Sequence, residues 1–145
     1  MNICIFCSAN SNLPTEYFDR TRELGAWMGA NGHTLVFGGC NLGLMECVAE
    51  AVHNAKGMTI GVVPSIVEKG GKVSEHVDVK ILCDNLSDRK DLMIQRSDVI
   101  IALPGGVGTL IAMLDDLKAH GVMRAGFDYT LKVARSLDEI AGFIG

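Results

Sequence analysis

Val99-Ile100-Ile101-Ala102-Leu103-Pro104-Gly105-Gly106-Val107-Gly108-Thr109 is the stretch on which the rest of the chain turns. Val99 to Ala102 is uncharged and β-branched in three of four positions, the pattern of a strand buried on both faces of a parallel sheet, so a central strand is expected. Pro104 has no N–H to give to a ladder, and Gly105, Gly106 and Gly108 let the backbone turn and approach a ligand closely. Thr109 is placed to cap a following helix, whose free N–H groups would form an anion site. The expectation is a cradle for phosphate, or phosphate and ribose, at the carboxyl end of a strand.

Immediately upstream, Leu86 to Ser97 reads as a helix with Ser87 as its N-cap, which puts Arg89 and Lys90 in the first turn. The helix macrodipole disfavours a cation there by roughly 0.3–1 kcal/mol. A bound anion would reverse that penalty, and Arg presents a planar fork to phosphate or carboxylate. The plainer alternative is a solvated helix end.

Further outward the pattern repeats. Ile3 to Phe6 reads as the first strand, followed by the small polar loop Cys7-Ser8-Ala9-Asn10-Ser11-Asn12, of the kind found beside a ligand crevice. A helix from Pro14 and Thr15 to about Ala30 should bury Tyr17, Thr21, Leu24 and Met28 as one stripe. A second strand, Thr34 to Phe37, runs into Gly38-Gly39-Cys40-Asn41-Leu42-Gly43-Leu44-Met45, another strand-glycine-helix junction. Its helix carries Leu44, Val48, Val52 and Ala55 on one face. A third strand, Thr59 to Val63, stops at Pro64. A short apolar turn and Lys69-Gly70-Gly71-Lys72 follow as the mobile loop, and Val77 to Leu82 alternates like a strand near a sheet edge. Beyond Thr109 come a helical run from Leu110 to about His120, a short strand near Thr130 to Val133 and a last helix capped by Ser136. Strand-helix alternation throughout implies an α/β fold: a Rossmann-like, doubly wound parallel sheet in three α/β/α layers, one domain over residues 1–145. Ligands of such sheets bind along the carboxyl edge.

Composition limits the partners. With 48% hydrophobic residues in 145 the core is well supplied, and a formal charge of −4 without basic runs argues against nucleic acid. No apolar run reaches membrane-spanning length and no signal peptide precedes Ile3, so neither a membrane nor export is expected and the cytoplasm is. Cys4, Cys7, Cys40, Cys47 and Cys83 are odd in number and lie mostly in apolar segments, which reads as reduced, structural thiols. His33, His53, His76 and His120 have no metal spacing and read as surface or packing residues, and the methionines as core filler.

Two nucleotide motifs fail in detail. Gly106-Val107-Gly108 begins a G-x-G-x-x-G, but Ile111 stands at its third glycine and the loop follows a late strand, which argues against NAD. No Gly-Lys-Ser/Thr completes a P-loop. Pyridoxal phosphate has no marked lysine with an Asp or Arg partner.

On these residues the chain resembles the LOG (Lonely Guy) family of cytokinin riboside 5′-monophosphate phosphoribohydrolases, once labelled lysine decarboxylase-like. Pro104-Gly105-Gly106-Val107-Gly108-Thr109 corresponds to its P-G-G-x-G-T-x-x-E, Arg89-Lys90 to its M-x-x-R-K, and Gly38 to Met45 to its G-G-G-x-x-G-L-M. The resemblance implies that Gly105, Gly106, Val107, Gly108 and Thr109 hold the 5′-phosphate and ribose of an AMP-type nucleotide. It implies Arg89 as catalytic and Glu75, Leu86 and Lys90 as lining, with Ser8 and Gly39 from the two earlier loops. It also implies a homodimer with no metal or redox cofactor, hydrolysing an N-glycosidic bond to free base and ribose 5-phosphate. Such a reaction needs a carboxylate near the oxocarbenium-like centre and help for the departing base.

The chain departs from the pattern where that carboxylate belongs, because residue 112 is Ala112. Cys40 and Glu46 also stand where the pattern has glycine. From Ile111 onward the sequence resembles the family's C-terminal end, so roughly 35 residues, one βα unit, are expected to be missing near Thr109-Leu110. Two other readings stay open: a non-catalytic nucleotide-binding protein and a molybdenum-cofactor carrier.

Overall fold

The computed structural model describes residues 1–106, Ile111 and residues 132–144, with Leu86 and Ser87 described by their backbone alone. Five strands, β1 (Asn2–Phe6), β2 (Thr34–Phe37), β3 (Met58–Pro64), β4 (Val79–Cys83) and β5 (Val99–Ala102), form one parallel sheet in the order β4-β3-β2-β1-β5. Among the described residues the named helices are α1 (Thr15–Ala30), α2 (Gly43–Asn54), α3 (Ser65–Lys69), α4 (Leu86–Gln95) and α5 (Leu137–Ile144).

Crossover handedness distributes the helices. From β1 to β2 to β3 the sheet grows one way, so right-handed crossovers put α1 and α2 on the same face. The chain then returns from β4 to β5 on the far side of β1, which sends α4 to the opposite face. Strand alternation follows suit. Ile3, Ile5, Leu35 and Phe37 pack with Leu24 and Met28 of α1 and Val48, Ala49 and Val52 of α2, joined by Leu137, Ile140 and Ile144 of α5. Cys4, Phe6, Val36 and Val62 pack with Met93 of α4. This three-layer, doubly wound arrangement is the expected one.

Some expectations need correction. Among the described residues β5 pairs with β1 alone and its four residues are only half-buried, where a central strand was expected. Tyr17 is exposed, since the buried stripe of α1 begins one turn later, at Thr21. The apolar turn after Pro64 is the short helix α3, and β4 starts at Val79 rather than Val77, though at the expected edge. Lys132 and Val133 are irregular, not strand. The expected helix over 110–120 lies outside the described residues apart from Ile111, whereas Ser136 does cap α5, accepting from the Glu139 N–H at 3.2 Å.

Cys4 and Cys7 sit three apart on an extended segment and so face opposite sides of the sheet, Cys4 in the α4 core and Cys7 against the α1/α2 core. Burial pushes both thiols up to about 12. A protonated thiol is a poor nucleophile, which fits the structural reading.

Candidate functional site

Strand order reverses between β1 and β5, and a crevice outside the carboxyl ends of strands opens at such a switch point. The loop leaving β5 is laid flush on the loop leaving β1. Leu103 N–H donates to the Phe6 carbonyl at 2.8 Å, and Ser8 N–H to the Pro104 carbonyl at 3.1 Å. Gly105 has φ +88°, and a Cβ there would lie 2.5 Å from that of Ser8. A Cβ on Gly106 would overlap the Phe6 carbonyl. Two glycines are therefore required for this contact whatever else they do.

The loop leaving β2 closes on the same segment. Gly43, at φ +60°, would place a Cβ 2.5 Å from the Ala9 carbonyl carbon, and Leu44 N–H donates to the Ser8 carbonyl at 2.9 Å. Ser8 is thus held between both glycine junctions. Residues 72–76 then lie along the β2 exit: Cys40 pairs with Val73 in an isolated antiparallel bridge, Asn41 N–H donates to the Lys72 carbonyl at 3.0 Å and Ser74 N–H to the Gly39 carbonyl at 2.8 Å. That places the exposed Glu75 beside Gly39.

Arg89 reaches this edge from the opposite face. The N-cap of α4 is Asn85, whose side chain accepts from the Asp88 N–H at 2.9 Å, not Ser87. An Asn two residues earlier satisfies the helix start, so Arg89 and Lys90 begin the second turn and feel the dipole less than expected. From there Arg89 Nη1 comes to 3.0 Å from where a Cβ on Gly38 would stand, while Met45 Cε approaches the same point from α2. A side chain at Gly38 would displace the tips of both. Arg89 is half-buried, and its Nε is shielded with no hydrogen-bond partner among the described residues. Desolvation pushes its pKa below the ordinary value, with Cys83 and Cys40 acting in the other direction. A shielded donor left unpaired costs about 1–3 kcal/mol, and an anion is what would relieve it.

The structure therefore gathers Ser8, Gly39, Glu75, Arg89, Gly105 and Gly106 along one edge, with Lys90 half-buried next to Arg89. Val107, Gly108, Thr109, Ala112 and the junction of Thr109 with Leu110 lie outside the described residues, as does the side chain of Leu86. Neither of the two larger hollows joins Arg89 to Gly105. One of about 570 Å³ lies between α1 and α2, and one of about 770 Å³ lies between α1, the β5 exit and the start of α5. Sequence reasoning missed the pairing of Glu46 Oε1 with His76 Nδ1 at 2.6 Å. Their separation of 30 positions left no local signal.

Comparison with known proteins gives the following. The model of the SLOG cluster4 family matches residues 1–126. A probable cytokinin riboside 5′-monophosphate phosphoribohydrolase of Oryza sativa subsp. japonica is 42% identical over 108 residues, covering 74% of this chain and 48% of the relative. A cytokinin riboside 5′-monophosphate phosphoribohydrolase of Mycobacterium tuberculosis is 36% identical over 113 residues, covering 78% and 60%. The chain spans about half the length of the curated relatives it matches. Among solved structures, the molybdenum cofactor carrier protein of Chlamydomonas reinhardtii superposes with TM-score 0.67 at 28% identity, covering 82% of this chain and 71% of that one. The molybdenum cofactor binding protein of Rippkaea orientalis gives TM-score 0.68 at 29% identity, with the same coverage of 82% and 71%.

Proposed function

Since the chain belongs to the SLOG cluster4 family, we propose that it binds an adenine nucleoside 5′-monophosphate at the carboxyl edge of its sheet. In this reading it hydrolyses the N-glycosidic bond of AMP or an N6-modified, cytokinin-type AMP. The observation that carries the proposal is Arg89, half-buried at the sheet edge with its Nε shielded and unpaired among the described residues. A phosphate would replace that missing partner with charge-assisted hydrogen bonds.

Arg89 is then the catalytic residue, and Gly105, Gly106, Val107, Gly108 and Thr109 hold the 5′-phosphate and ribose. Ser8, Gly39, Leu86 and Lys90 line the remainder, and Glu75 supplies a carboxylate that contacts the substrate. In the reaction the C1′–N9 electrons leave with the base, which gains a proton, and water adds its oxygen to C1′ and loses one. The products are free base and ribose 5-phosphate. The proposal includes a homodimer, which sedimentation tests by mass. A cytoplasmic location is supported by five unpaired cysteines. No helix among the described residues is long and apolar enough to cross a membrane.

Specific observations favour two other readings. Ala112, where the resembled motif has glutamate, favours nucleotide binding without turnover. Likeness to two molybdenum cofactor proteins favours a carrier role. Incubation with AMP and with isopentenyl-AMP, followed by chromatography for base and ribose 5-phosphate, separates the three. Release of both products, abolished in Arg89→Gln, supports hydrolysis. Tight binding without release supports the second reading, and no adenylate binding supports the third.

A further inference from the structure

Glu46 stands in the first turn of α2, and His76 ends the segment that lies antiparallel to the glycine loop after β2. Their side chains meet at 2.6 Å with 25% of Glu46 and 28% of His76 exposed, so the contact is largely sheltered from water. Glu46 Oε2 is shielded and has no partner among the described residues, leaving His76 as the group that satisfies this carboxylate. The backbone of His76 is held as well: its N–H donates to Ser74 Oγ at 3.1 Å, and its carbonyl accepts from Thr59 Oγ1 of β3. Glu75 is consequently strung between two anchored neighbours. On the other side of the segment, Gly70 and Gly71, the latter at φ +69°, give the chain little stiffness of its own.

We propose that Glu46 and His76 are positioning residues, whose side-chain pair fastens the 72–76 segment to the start of α2 and so fixes the backbone from which Glu75, next to the Ser74 that bonds Gly39, extends its carboxylate to the ligand. The proposal rests on the adenylate reading above. Neither residue touches the ligand. Their contribution is to order the segment before binding, so that binding does not have to order it.

The test uses the whole chain with AMP as the probe, following AMP affinity by calorimetry and amide hydrogen exchange at Asn41 and Ser74, the two donors that bridge the paired loops. Glu46→Ala and His76→Ala should each speed exchange at both amides and weaken AMP by about tenfold, the range of coupling within one hydrogen-bond network. The double variant should be no weaker than either single one. His76→Asn keeps a donor near the position of Nδ1 and should stay within about threefold of the parent, a rescue that a merely space-filling histidine would not show. Unchanged exchange in the alanine variants overturns the proposal, and so does faster exchange with AMP affinity unmoved. Failure of the unaltered chain to bind AMP instead overturns the adenylate reading, and the exchange result still decides whether the pair fastens the segment.

Discussion

On one face of the sheet α1 and α2 meet so closely that a Cβ on Gly25 would lie 2.6 Å from that of Ala51, and one on Gly29 2.6 Å from that of Ala55. On the other face α4 buries Met93 alone among its described side chains and carries a half-buried cation near its amino end. The first face joins its two helices in a close seam, although a hollow of about 570 Å³, lined in part by Glu46, opens between them and Glu46 Oε2 is shielded without a partner among the described residues. The second gives up burial and leaves a shielded donor unmatched, and that mismatch lies at the carboxyl edge where two glycine junctions converge. The difference teaches that one side of this sheet holds the larger share of the buried core, whereas the other presents a shielded, unpaired guanidinium at the carboxyl edge.

The most direct way to break the comparison is to empty the packed face. Phe37 is fully buried among the α1/α2 residues, so Phe37→Ala should lose about 3–5 kcal/mol in urea unfolding. A loss below about 1 kcal/mol would mean that this face does not carry the stability assigned to it.

Next comes the cation. Arg89→Met removes a group that desolvation already disfavours, so stability should hold or rise by about 1 kcal/mol. AMP affinity should fall about a hundredfold, the scale of a lost charge-assisted pair. Calorimetry and thermal unfolding on the same samples read both signs. Loss of stability together with retained binding would reverse the roles given to the two faces.

The helix contact is a finer test. Gly29→Ala gains helix propensity of about 1 kcal/mol, yet its Cβ would press on Ala55 and on the Val52 carbonyl, 2.8 Å away, and overpacking of this kind costs about 1–3 kcal/mol. The expected result is a modest net loss, recovered only in part in Gly29→Ala with Ala55→Gly, because the Val52 carbonyl contact stays. A stabilised single variant would show that the two helices are free to separate.

Much of this was readable beforehand, because strand-helix alternation and two glycine junctions are local patterns. The helices α1 and α2 follow from them, and the alternation of residues 77–82 marks the edge position of β4. That β5 pairs with β1 alone among the described residues was not readable: four apolar residues look alike whether a strand has one neighbour or two. Nor was the Gly25/Gly29 seam, since glycines four apart show their purpose only when Ala51 and Ala55 are known to face them. Of the site, Arg89 and Gly105 were legible from chemistry that is out of place locally, a cation near a helix start and glycine after a strand. Glu46 and His76 are ordinary where they stand, and only the tertiary fold makes them a pair.

The thiols of Cys4 in β1 and Cys7 just beyond it offer the smallest effect and compare the two faces along one extended segment. Cys4 is buried against α4, and burial holds its pKa up at about 12, with a hydrogen bond involving Ser97 pulling the other way. In the unfolded chain the same thiol ionises near 8.5, so between that value and about 12 the unfolded state binds fewer protons than the folded one. Stability from this group is therefore complete below pH 8 and declines as pH rises, by about 1 kcal/mol at pH 9. Urea unfolding at pH 7.5 and 9 should show the parent losing more than Cys4→Ala by this increment, the variant still losing what Cys7 contributes. Cys7, raised likewise to about 12 but facing the α1/α2 side beneath the Ser8 loop, should resist iodoacetamide in the native protein as Cys4 does. If Cys7 alkylates quickly while Cys4 does not, the packed face opens at its carboxyl edge, and the crevice rather than α4 is the more mobile boundary of the sheet.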